Sequence, residues 1–117
     1  MKKQFFFATF LFSFMGPVVA QIVWESSNGG SNTDKAHAMI QTSAGNFLLA
    51  GRTASTDLQV SYNPGGWSVW LLELDGSGNL VYEHCFGGTE WDEAFGLIET
   101  TDGGLVFCGI VIQTALM

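Results

Sequence analysis

Hydrophobic and polar positions along the chain fall into short runs of strand length, separated by turns rich in glycine, asparagine, aspartate and serine. Ile22–Ser27 (IVWESS) alternates apolar and polar residues, which predicts a strand ended by the flexible NGGSNTD segment. Ala36–Thr42 (AHAMIQT) has the alanines of a helix, but it is short and lies between glycine-rich turns, so it is read as a strand. Phe47–Thr53 (FLLAGRT) is a nearly continuous apolar run, suited to a strand covered on both faces. Ala54–Gly66 is polar and contains the breaker Asn63-Pro64-Gly65-Gly66, predicting a long surface loop. Trp67–Leu74 and Leu80–Phe86, joined by DGSGN, make the clearest hairpin. Ala94–Thr101 and Leu105–Ile112, joined by a TDGG turn, predict two more strands.

The pattern repeats. Sliding Asn28–Gly51 by a constant 58 residues, without a gap, places Gly29 on Gly87, Gly30 on Gly88, Asp34 on Asp92, Ala36 on Ala94, Ile40 on Ile98, Thr42 on Thr100, Gly45 on Gly103 and Gly51 on Gly109. Self-similarity at such a period marks a repeat architecture. The copies run from about 22–79 and 80–117, and one structural unit is expected to hold the four strands between Ala36 and Phe86. On that count residues 21–117 hold about one and a half units, which leaves strand edges and apolar faces uncovered unless further units or self-association cover them.

Composition beyond residue 20 agrees with an all-β, antiparallel fold: 14 glycines supply turns and 10 aromatic residues (4 Phe, 4 Trp, 2 Tyr) supply core, while good helix formers rarely cluster. The first 20 residues stand apart. Lys2 and Lys3 precede an uncharged apolar run of about 15 residues, Phe5 to Val19, and Val18 and Ala20 sit where a signal peptidase reads. The run falls short of the roughly 20 residues that span a bilayer, so residues 1–20 are read as a signal peptide, and the mature chain has no membrane span and is secreted or held at the cell surface. Cleavage after Ala20 leaves only Lys35 and Arg52 against 11 acids, a formal charge of −9, which repels phosphate backbones and argues against nucleic-acid partners. Cys85 and Cys108 are free to pair in an exported protein, or Cys108 is a small buried hydrophobe in VFCGI.

The order FGG, Asp92, Ala94, Ile98, TTDGG and a strand ending in Gly109, with GRTAST, WSVWLLELD, DGSGN and an aromatic in the first copy, resembles the exported β-propeller-type repeats of bacterial, notably Bacteroidetes-like, surface proteins. The resemblance covers roughly Ile22 to Val111. It implies antiparallel propeller blades, about one and a half of them here, in an exported protein of structural or partner-binding role. It implies no catalytic residue, and the partner it suggests is a protein or a glycan. The alternative is the N-terminal fragment of a sialidase-like or quinoprotein-like propeller enzyme whose catalytic residues lie in blades outside this sequence.

The candidate chemistry is sparse, and no catalytic, cofactor-binding or metal-ligating residue is assigned. Asp34 and Asp92 recur just ahead of a strand, and each is expected to accept backbone N–H bonds and fix the entering loop. Asp75-Gly76-Ser77-Gly78-Asn79 spaces oxygen side chains like a calcium loop, but Leu80 and Phe86 stand where an EF-hand needs glycine and glutamate, so a hairpin turn is expected. Thr100–Gly104 partly resembles an aspartate-box turn, a structural motif. His37 and His84 lie in separate strands without paired ligand spacing. Glu90, Asp92 and Glu93 flank Trp91, a combination that begins many sugar sites, yet solvated loop charge is the expectation. No GxSxG elbow or phosphate-loop lysine occurs.

Overall fold

The structure, a computed structural model, describes Gly16 and residues 20–112. The expected leader, residues 1–20, lies outside the described residues apart from Gly16 and Ala20. Six strands follow one another: β1 (Asp34–Gln41), β2 (Phe47–Thr53), β3 (Ser68–Leu74), β4 (Leu80–Phe86), β5 (Asp92–Glu99) and β6 (Leu105–Val111). The first four form an antiparallel meander in the order β1-β2-β3-β4, and β5 pairs with β6 in a separate hairpin. The described residues are therefore all-β, without a helix, and the two sheets do not close on themselves.

Turn chemistry dictates the meander. Thr42–Asn46 and Thr100–Gly104 close in the same way: the Thr42 amide donates to the Asn46 carbonyl and the Gly45 amide to the Thr42 carbonyl, while Thr100, Gly103 and Gly104 repeat both bonds. Gly45 (φ 89°) and Gly103 (φ 83°) adopt the left-handed backbone that this turn requires. At Asp75–Asn79 one carboxylate oxygen of Asp75 accepts the Ser77 and Asn79 amides at 2.8 and 2.9 Å, so the aspartate serves its own hairpin turn.

The 58-residue repeat extends to irregularities. β1 bulges between Ala36 and Ala38, and β5 bulges between Ala94 and Gly96, the same place in the copy. The bulge brings backbone so close that a Cβ on Gly51 would collide with the Lys35 carbonyl oxygen, and one on Gly109 with that of Glu93. Glycine recurs there because nothing larger fits.

The hairpin lies face to face on the meander. Ala38, Ile40, Leu48, Ala50, Val69 and Leu71 present one face of the four-stranded sheet, face A, to Ala94, Leu97 and Phe107 of the hairpin. On the opposite face, face B, Val60 closes over Trp70, Leu72 and Cys85. β2 is accordingly apolar on both sides, as its continuous run predicts.

Three expectations need correction. Ile22–Ser27 forms no strand. The offset places it on β4, which is held by hydrogen bonds to β3, and alternation alone makes no strand where no ladder is formed. Ile22 and Val23 stay exposed, and Trp24 packs edge-on against Phe47 at 5.5 Å between ring centres. The Ala54–Gly66 segment is less of a surface loop than its polarity suggests. Ser55 and Val60 are buried, and the Asn63 side-chain amide donates to the Thr53 and Ser55 carbonyls, because an apolar strand face needs a lid. The cysteines are both free: Cys85 is buried on face B, and Cys108 is exposed rather than a core residue.

Candidate functional site

The densest polar constellation sits where the two sheets meet. Trp67 immediately precedes β3, Trp91 immediately precedes β5, and the two join in an isolated parallel bridge. The Asp92 amide donates to the Trp67 carbonyl at 2.6 Å and the Trp67 amide to the Glu90 carbonyl at 3.2 Å. These bonds align the indole rings at 5.9 Å, and the Arg52 guanidinium, from the end of β2, lies over both at 4.3 and 4.7 Å from the ring centres.

Glu93 completes the junction. One carboxylate oxygen accepts from Arg52 Nη1 at 3.0 Å and from the Trp91 indole N–H at 3.1 Å, while the other makes a short contact with His37 Nε2. Burial would raise the Glu93 carboxyl, but the Trp91 and His37 hydrogen bonds and the Arg52 charge outweigh it and hold the group below its ordinary value. Glu93 is only 6% exposed and Asp92 is fully enclosed. The expectation of solvated loop charge is thus overturned for these two residues, since β5 begins at Asp92 and buries both where it meets the meander. Glu90 stays on the surface.

The junction has the geometry of a clamp between the two sheets. Glu93 is the single carboxylate in it, and its oxygens are committed to Arg52, Trp91 and His37. Among the described residues no group of three or more His, Cys, Asp or Glu side chains converges for a metal. His84 stands apart on β4, stacked with Tyr82 and edge-on to Phe86.

The repeated aspartates do what their position predicts. Asp34 accepts the Gly30 amide at 2.8 Å and Asp92 the Gly88 amide at 2.7 Å, which ties each glycine pair to the first residue of the following strand. The two sites differ in the second oxygen. Asp34 Oδ1 accepts the Thr53 hydroxyl at 2.5 Å and its Oδ2 also takes the Ser55 hydroxyl at 3.1 Å. Val111 stands in the register position of Thr53, and Asp92 Oδ1 is buried without a partner among the described residues.

An apolar cleft of about 280 Å³ opens on face B, lined by Trp24, Met39, Phe47, Leu49, Trp70 and Leu72 among others. A second recess is polar and is walled by Gly29, Gly30, Asn32, Asp34 and Gln59. Arg52 and the face-B cleft escaped sequence reasoning: the arginine has no motif around it, and its partners are 15 to 41 residues away, although Arg52 is one of only two Lys or Arg residues beyond residue 20. Comparison with known proteins brings no relative to this chain, because no family model, no curated protein and no solved structure matches it.

Proposed function

We infer that this is an exported, non-catalytic β-repeat protein of propeller type, whose units stack face to face and whose loops bind a protein or glycan partner at or outside the cell surface. The observation that carries it is the face-to-face seating of β5–β6 on the meander, with the bulge, the glycine, the aspartate and the turn of the first unit repeated at the same offset. Sheets that stack in this way bury one face after another along an array, and leave the loops between strands for recognition.

The Ala54–Gly66 loop is the best-built recognition element. It is anchored at Ser55, Val60 and Asn63, yet it exposes Leu58 and Tyr62 at 77% and 66%. Leu58 holds a positive φ of 56°, a conformation that non-glycine residues adopt only where surrounding structure enforces it.

The test has two arms. Expression of the full chain in a bacterium, followed by mass spectrometry of the surface and culture fractions, should find a mature protein beginning at Gln21; a full-length cytosolic product would refute export. A panel of surface polysaccharides and peptidoglycan fragments should bind the wild-type chain better than Leu58→Ser/Tyr62→Ser. Turnover of a sialoside, or reduction of a dye with added quinone cofactor, would replace the binding role by catalysis.

A further inference from the structure

The interface inside the chain defines a second one outside it. Directly paired strand residues share a face, and the faces alternate along a strand. In the hairpin, Leu97 and its partner Phe107 turn toward the meander, so Ile98, its partner Val106, and Cys108 point to the opposite side. Ile98 and Val106 are 58% and 50% exposed, and Ile110, two residues beyond Cys108, is exposed as well.

The 58-residue offset identifies these surfaces. Ile98, Val106 and Cys108 are the counterparts of Ile40, Leu48 and Ala50, which form face A of the meander. Leu97 and Phe107, which face A receives, are the counterparts of Met39 and Leu49 on face B of the meander, where Met39 is 63% exposed and both line the apolar cleft. The chain thus buries one A-to-B contact and leaves, among the described residues, a chemically equivalent A face on its hairpin and part of an equivalent B face on its meander open.

The N-terminal segment fits the same scheme. Trp24 is the counterpart of Tyr82 on β4, and it sits on face B over Phe47, so Ile22–Ser27 occupies the place of a β4 from a preceding sheet. The part of face B that remains open lies over β1 and β2, and the hairpin supplies the counterparts of those two strands.

We propose that the chain associates head to tail with a second copy of itself, the outer face of β5–β6 in one copy (Ile98, Val106, Cys108) seating on face B of the β1–β2 region in the next (Met39, Leu49 and the Trp24 cleft). The contact is heterologous: each copy offers one A and one B face, so association continues until a ring closes or a filament grows.

Sedimentation velocity of the full chain over a hundredfold range of concentration should show growth in mass. Ile98→Glu, on face A, and Met39→Glu, on face B, each place a charge in the apolar contact and should weaken association at least about tenfold. Both side chains are exposed, and far-UV circular dichroism checks that each variant is folded. Because each variant keeps the face the other has lost, an equimolar mixture should form a one-to-one dimer that grows no further. As an independent readout, maleimide labelling of Cys108 in the wild-type chain should slow as concentration rises. A wild-type chain that stays monomeric with concentration-independent labelling overturns the proposal, and the faces would then belong to further repeat units or to a different partner. A mixture that stays monomeric overturns it too, because an intact A face and an intact B face would then fail to join.

Discussion

Val111→Thr should stabilise the protein. Val111 opposes Asp92 in the β5–β6 ladder just as Thr53 opposes Asp34 in β1–β2, where the threonine hydroxyl donates to the carboxylate at 2.5 Å. Asp92 is completely buried, and its Oδ1 has no partner among the described residues. A buried acceptor left unpaired costs about 1–3 kcal/mol, whereas a completed bond contributes about 1 kcal/mol net. Valine and threonine share shape and β-branching, and Val111 is 61% exposed, so little apolar burial is lost in the exchange. The expected gain is about 1–2 kcal/mol, or roughly 4–8 °C in Tm per kcal/mol for a domain of this size. The reciprocal change, Thr53→Val, should be worse than a mirror image. Thr53 is fully buried and its oxygen also accepts the Ser55 amide at 2.9 Å, so two groups lose a partner and the loss should reach about 2–3 kcal/mol. Urea unfolding followed by tryptophan fluorescence, at one fixed protein concentration because association would add its own stabilisation, measures both. A Val111→Thr variant no more stable than wild type would refute the claim that Asp92 carries an unmet acceptor.

Three further outcomes follow from the same geometry. Glu93 has a depressed folded-state value, so its contribution is complete above the ordinary carboxyl value of 4.5 and drains away as pH falls through the folded-state value; the Tm of Glu93→Gln should therefore be lower than wild type at pH 7 and converge with it as pH falls below 4.5, and parallel curves would contradict the clamp. Burial, with the Glu83 and Asp34 charges, pushes the Cys85 thiol up to about 12, so in dilute native protein iodoacetamide should modify Cys108 and spare Cys85 until denaturant is added, as intact-mass spectrometry will show. Gly51→Ala and Gly109→Ala should both destabilise strongly, by about 3 kcal/mol or more, because each Cβ meets backbone that cannot move aside without undoing the bulge; urea midpoints near wild type would show that the β1 and β5 bulges can relax.

Much of the fold was legible because turn and strand chemistry is local. Gly45 and Gly103 mark positive-φ turn positions, and the apolar run Phe47–Thr53 marks a strand covered on both faces. The aspartates at 34 and 92 could be assigned to their loops because a carboxylate four residues after a glycine reaches back to its amide. The site was much less legible. Glu93 sits in an acidic run that reads as solvent-exposed, and only the packing of β5 on the meander turns it toward Arg52 and His37. Ile22–Ser27 shows the converse, an alternating pattern without a ladder, because no strand pairs with it among the described residues.

By itself, the sequence determined the strands, the turns between them and the period of 58 residues, all of which depend on backbone preferences and alternation over a few residues. Only the tertiary structure decided which face of each strand is covered, that Val60 closes one side of the meander, and that Arg52 lies over two tryptophans. The physical reason is that burial is a property of pairs of surfaces. A repeat makes the surfaces alike, and packing then covers one copy of each and leaves the other open.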